Sequence, residues 1–287
     1  MESNMQTVKM GEMTVGELQQ YLKTKRTIIL PYGVVEQHGH HLPLDTDIRN
    51  AEIMGAKLAE KLGCIVAPTL NYCFSGGMLT GTVNVKPNTF SNMMGEIVES
   101  LALQGFQNIL ILPGHGGSES LLHLKESLRI LKWLNPALKD TLIMLLQLWN
   151  FSPTWLNLFK TRDYHAGEAE TSLIKYWTPE AVRGKIVLDK SEVAEMLRDD
   201  PDSYQQRTAL STSKDEIPFT GQRPEVKVGV MGYPEKGSAA TGRKITEEIL
   251  ATAVPELKKA IAAAAKARQN GTAIEVKNNA KLKILSL

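Results

Sequence analysis

Apolar residues along this chain recur in two alternating rhythms. Four short runs, Thr27–Val34, Cys64–Leu70, Asn108–Leu112 and Thr141–Trp149, have the length and aliphatic content of buried strands. Between them the apolar positions fall three or four residues apart. Ile48, Ala51, Met54, Leu58 and Leu62 share one face of a helix over 48–62, and Gly63 stops it. Thr14-Val15-Gly16-Glu17 reads as a capping box opening a short helix that ends near Lys25. Further helices are expected from about Phe90 to Gln104 and from Ser118 to about Trp133. Four strand–helix units in succession predict an α/β protein with a mainly parallel sheet covered by helices on both faces. With no internal repeat and no linker, residues 1–287 read as a single domain.

The second half is less regular. A helix over His165–Trp177, a short strand over Lys185–Leu188 and a last strand over Val226–Met231 are expected. Residues 190–225 are polar and rich in breakers, so they read as an excursion over the surface. A long helix is expected over Ser238–Lys266, and the tail from 270 to 287 has no clear pattern.

Composition removes several classes of function. The formal net charge is +2, with both signs mixed along the chain, so nothing points to nucleic acid or an anionic membrane. No apolar run approaches the ~20 residues of a membrane span, and the N-terminus lacks the basic start and apolar stretch of a signal peptide. The two cysteines, Cys64 and Cys73, read as buried thiols of a reducing compartment. The expectation is a soluble, cytoplasmic protein acting on a small molecule.

The chemistry is concentrated after the first strand. Val35-Glu36-Gln37-His38-Gly39-His40-His41-Leu42-Pro43-Leu44-Asp45-Thr46-Asp47 holds three of the six histidines and three carboxylates. Imidazole beside carboxylate suits zinc, manganese or iron. Gly39 and Pro43 let the chain turn and bring Asp47 back toward Glu36 and His38. Other unusual residues also follow strands: Gly76-Gly77 the second, His115 the third and Trp149 the fourth, with His165 opening the next helix. In parallel α/β sheets that end is where ligands bind. Only His123 falls within a helix.

These segments carry a family resemblance. Glu36-Gln37-His38-Gly39, then His41-Leu42-Pro43-Leu44 and Thr46-Asp47, resemble the signature of the creatininase (creatinine amidohydrolase) family. Gly114-His115-Gly116-Gly117 is similar to its second motif, and His165-Ala166-Gly167 with Glu170-Thr171-Ser172 to its third. Gly229–Gly242 resembles its glycine-rich C-terminal segment. The resemblance spans roughly 10–250 and implies a three-layer α/β/α sandwich, two divalent ions (zinc, with manganese or iron possible at one site) and a hexamer built as a trimer of dimers. By position it implies that Glu36, Asp47 and His115 hold one ion, and that His38 and the bridging Asp47 hold the second. In creatininase a glutamate two residues beyond the second-motif histidine completes the second site, and that position is Gly117 here. Glu170 is the expected substitute, with Glu168 and Glu119 as weaker candidates. His165 matches the catalytic histidine and Trp149 a substrate-covering tryptophan, whereas a second such tryptophan is Thr161 here. Pro113 and Ser118 stand where many members have asparagine. Ser75, Gly116, Trp149 and Tyr164 are the expected substrate contacts.

The implied activity is hydrolysis. Two bridged divalent ions lower the pKa of a shared water toward neutrality and polarise a carbonyl, and His165 would carry a proton to the leaving group. The expected substrate is a small cyclic amide cut at a C–N bond. Hydrolytic C–C opening of a cyclic diketone in inositol catabolism is the alternative chemistry, and a non-catalytic metal-binding protein the alternative of another class. A serine hydrolase would show Gly-x-Ser-x-Gly, and a dinucleotide-binding fold Gly-x-Gly-x-x-Gly after its first strand. Neither motif is present.

Overall fold

Period-two alternation of buried side chains builds the centre of the molecule. In a computed structural model that describes residues 7–273, β1 (Thr27–Tyr32) sends Ile28, Leu30 and Tyr32 to one layer and Ile29 to the other. β3 (Asn108–Pro113) divides Ile109 and Ile111 from Leu110 and Leu112 in the same way. With β2 (Ile65–Val66) and β4 (Leu142–Leu145) they form a four-stranded parallel sheet in the order β2-β1-β3-β4. α1 (Val15–Thr24), α3 (Pro87–Leu103) and α4 (Ser118–Leu134) cover one face. α2 (Thr46–Leu62), α5 (Pro153–Lys160), α6 (Glu168–Trp177) and α8 (Ala239–Asn270) cover the other. The result is the three-layer α/β/α sandwich.

Chain order reverses between β1 and β3, so a crevice opens beyond their carboxyl ends. Two glycines let α2 close the bottom of that crevice. A Cβ on Gly33 would lie 2.5 Å from the Ile48 nitrogen, and one on Gly114 only 1.8 Å from the Asp47 carbonyl oxygen. No other residue allows the first turn of α2 to press so closely on both strand ends.

Several elements are shorter than their apolar runs suggest. β2 is reduced to Ile65–Val66, with single further bridges from Val66 to Lys9 and from Leu70 to Tyr32. Pro68 interrupts the ladder because it has no N–H to give. β4 stops at Leu145, and Leu148–Phe151 winds into a 3₁₀ turn. α6 begins at Glu168, which leaves His165 in the preceding loop.

Two expected strands do not form. Lys185–Leu188 has no ladder partner. Val226–Met231 bends instead of pairing in a sheet: Gly229 has φ 75°, and Asp189 takes the N–H groups of Lys227, Val228 and Gly229 at 2.6, 3.0 and 2.7 Å. Residues 190–225 are also more than a surface excursion. They contain α7 (Ser191–Asp199), which buries Ala194 and Leu197, and an antiparallel hairpin of β5 (Gln205–Thr208) and β6 (Phe219–Gln222). Leu197 packs with Val226 and Met231, a cluster too small to stand out in a polar stretch. α5 has a readable start, since Ser152 caps the Trp155 N–H and Pro153 occupies the first turn. α8 runs on through Pro255; the carbonyl that Pro255 cannot bond belongs to Ala251, and both residues are exposed, so water can satisfy it. Beyond Asn270 the C-terminal tail lies largely outside the described residues.

Candidate metal centre

The loop that follows β1 folds back on itself, with the Glu36 N–H donating to the Leu44 carbonyl at 3.0 Å. That return places Glu36 and His38 beside Asp47 in the first turn of α2. His115 enters from two residues beyond β3, and Glu170 from the first turn of α6. Two groups of three share Asp47: Glu36, Asp47 and His115, and His38, Asp47 and Glu170; a third joins Glu36 and His38 to His165. Within each, one ligand atom per residue lies within 4.8 Å of the others. His115 Nδ1 is 3.1 Å from Glu36 Oε2 and 3.1 Å from Asp47 Oδ2. His38 Nε2 is 3.3 Å from Asp47 Oδ1 and 3.6 Å from Glu170 Oε2. Asp47 therefore turns one oxygen to each group.

The donor set fits divalent ions. All five side chains are buried, and Glu36 Oε2 and His38 Nε2 have no hydrogen-bond partner. Buried polar atoms left in that state are costly unless something occupies the space between them. The outer contacts aim the remaining atoms inward, as they do around bound metals. Ser75 Oγ donates to Glu36 Oε1 at 2.7 Å, leaving Oε2 free. His38 Nδ1 donates to the Glu36 carbonyl at 3.1 Å, leaving Nε2 free. Burial disfavours charge on His38 and His115, yet the facing carboxylates outweigh it and hold both imidazoles well above their usual range. Burial likewise disfavours the Asp47 carboxylate, but His38 and His115 hold its pKa far below normal. A cation between these groups would take the place of the imidazole protons.

Gly117, where the resemblance places a glutamate, lies under the His115 ring. A Cβ there would fall 2.3 Å from His115 Nε2, so the ring itself fills that position. Glu168 is partly exposed, and Glu119 accepts from Gln205 Nε2 at 3.1 Å on the cavity wall; neither belongs to a ligand group among the described residues.

His165 lies over the second group, its ring 4.3 Å from that of His38. Its Nε2 is 2.8 Å from the Gln37 carbonyl and 3.1 Å from Gln37 Nε2. Gln37 Oε1 is committed to the Gly39 N–H, so the side-chain amide is a donor there. The shorter contact assigns the proton to His165 Nε2 and leaves Nδ1 as acceptor. Above the centre opens a cavity of about 510 Å³, lined by Ser75, Gly116, Trp149 and Tyr164 together with Glu36 and His165. Ser75 serves Glu36 as much as the cavity. Trp155 meets Trp149 edge-on at 6.3 Å, and Phe159 stacks on Tyr164 at 5.9 Å. Trp155 thus builds the wall for which Thr161, the C-cap of α5, has no side chain large enough. Sequence reasoning missed Trp155, Phe159 and Gln37; α5, whose start is readable, is the signal that could have found the first two. His41 is held by Thr171 Oγ1 at 3.0 Å, and burial pushes it down to about 4. His123 bonds Ser91, away from the centre.

A parallel sheet with a carboxylate–imidazole cluster at its switch point defines a class, the α/β proteins with a candidate metal site beyond their strand ends. The comparisons narrow that class. The profile described as creatininase, creatinine amidohydrolase, matches residues 11–257. The creatinine amidohydrolase of Pseudomonas putida is 24% identical over 199 residues, 64% of this chain and 76% of that protein. The mycofactocin precursor peptide peptidase of Mycobacterium ulcerans is 26% identical over 254 residues, 84% and 88% of the two chains. A solved creatininase mutant of Zn-Zn type superposes with a TM-score of 0.71 at 21% identity, covering 89% of this chain and 98% of its own, and a manganese form superposes equally well. The chain belongs to the creatininase family, whose members are hydrolases. No described helix is long and apolar enough to cross a membrane.

Proposed function

We propose that this chain is a two-metal hydrolase that cleaves a carbon–nitrogen amide bond of a small substrate, a cyclic amide in the first instance. The observation that carries the reading is the pair of three-residue groups sharing Asp47 on the floor of a cavity. Glu36, Asp47 and His115 would hold one ion, and His38, Asp47 and Glu170 the other. Two such ions, zinc or manganese, supply an activated water and polarise the scissile carbonyl. Trp149, Trp155, Phe159 and Tyr164 form a wall that excludes bulk water and holds the substrate. His165, anchored through Nε2 to the Gln37 carbonyl, offers Nδ1 to receive a proton and pass it to the departing nitrogen.

A linear peptide is the second reading, favoured by one observation. The cavity of about 510 Å³ is sized for a drug-like ligand, well beyond a single five-membered ring. The test is a screen of the zinc- and manganese-loaded protein against cyclic amides, short peptides and inosose-type cyclic ketones. A ring-opened product carrying a new carboxylate and N–H group from the cyclic amides, or two fragments from the peptides, supports C–N hydrolysis. Ring opening of the ketones alone would replace it with the carbon–carbon chemistry.

Metal content tests the ligand set directly. Elemental analysis of chelator-free protein should return close to two divalent ions per chain under this reading. Glu170→Gln should weaken one of the two, by ~10-fold or more on the scale of disturbed metal sites. Glu168→Gln should leave both in place. The reverse pattern would move the role to Glu168.

A further inference from the structure

His165 and Glu170 lie on one short segment, and its backbone is unusual on both sides of the histidine. Arg162 has φ 65° and Ala166 φ 53°, left-handed conformations that residues with a Cβ rarely adopt and that survive only where neighbours impose them. Asp163 is 1% exposed and forms no salt bridge among the described residues, while its neighbour Arg162 pairs with Glu195 and Asp199. Its carboxylate accepts three backbone N–H groups instead: Glu168 at 2.7 Å, Ala169 at 3.0 Å and Tyr233 at 2.8 Å. Two of these open α6, whose own N-cap, Gly167, has no side chain to offer. The third ties the segment to 231–233, where Tyr164 N–H donates to the Met231 carbonyl and Met231 N–H to the His165 carbonyl. Gly167 and Gly232 leave the space for this, since a Cβ on either would fall within 2.3 Å of Asp163 Oδ1.

The consequence reaches the metal centre through Ala166. Its left-handed turn aims its N–H at Glu170 Oε2, at 2.6 Å. That is the same oxygen that faces His38 Nε2. We infer that Asp163 is a positioning residue: by gathering the three N–H groups it fixes the turn that sets both the Glu170 carboxylate and the His165 ring. The inference rests on the two-metal reading. The hydrogen-bond partners of the Asp163 carboxylate are backbone N–H groups and none is a proposed ligand atom, so its hold on Glu170 and His165 runs through the backbone.

Asp189 provides the control, because it too takes three backbone N–H groups, from Lys227, Val228 and Gly229, but on a segment without a ligand. Zinc is titrated into metal-free wild type, Asp163→Asn and Asp189→Asn against a chromophoric chelator. Asp163→Asn should weaken one zinc equivalent by ~10- to 100-fold, the usual effect of losing an outer support, and leave the other unchanged. Asp189→Asn should leave both unchanged at a comparable loss of melting temperature. If Asp163→Asn fails to fold, the wild type alone decides through hydrogen exchange. Coupling is reciprocal, so zinc should slow exchange at the Glu168, Ala169 and Tyr233 amides. Wild-type affinity for both ions in folded Asp163→Asn, or exchange at those amides indifferent to bound zinc, overturns the inference. A wild type that binds no zinc removes the two-metal reading itself, and this inference with it.

Discussion

Asp47→Ala should release both ions and lower hydrolysis by about a thousandfold or more. Its two oxygens are divided, Oδ1 at 3.3 Å from His38 Nε2 and Oδ2 at 3.1 Å from His115 Nδ1, so removal opens both ligand groups together. No nearby carboxylate can substitute, because Glu36 is fixed by Ser75 and Glu170 by the Ala166 N–H. Lewis-acid stabilisation supplies several kcal/mol of barrier reduction, and each 1.36 kcal/mol is tenfold in rate; the thousandfold figure follows. Elemental analysis beside circular dichroism checks it. A folded mutant that keeps one full equivalent would show that Asp47 serves one ion and bridges nothing. His115→Ala is the companion measurement, since it should weaken one ion and spare the other.

The second large effect is expected at His165. Its ring lies tilted over that of His38 and its Nε2 is engaged by the Gln37 carbonyl, which leaves one nitrogen for proton transfer. His165→Ala should therefore keep both ions and the fold while kcat falls by ~10²-fold or more, the usual scale of general acid–base catalysis. A lost metal equivalent would make it a ligand instead. A near-normal kcat with both ions bound would leave it a loop residue that merely packs.

The parts of the molecule legible in the sequence are those written in adjacent residues. β1 and β3 announce themselves because central parallel strands are apolar on both faces. Glu36, His38 and Asp47 stand out because one short stretch of sequence carries them all, and His115 because it follows an apolar run. The unread parts depend on partners distant in the chain. Val226–Met231 has the composition of a strand, but the carboxylate of Asp189 claims its N–H groups before any ladder can. α7 hides in polar sequence because only Ala194 and Leu197 of its apolar residues need full burial. The Gln37–His165 contact joins positions 128 residues apart, which no local pattern records.

The proposed ligands come from four separate pieces of the chain: the loop after β1, which supplies Glu36 and His38, the first turn of α2, the loop after β3 and the first turn of α6. An unfolded chain cannot assemble that set, so whatever free energy the ions release on binding is added to the stability of the native state. At free metal a hundredfold above the dissociation constant, each ion would contribute about 2.7 kcal/mol. Stripping both should lower the melting temperature by several degrees in a calorimetric scan, and restoring zinc should raise it again. An unmoved melting point would mean that the centre binds little or nothing. Under the two-metal reading a chelator would act on this protein as a mild denaturant, and metal supply would govern how much native protein persists as well as how fast it turns over.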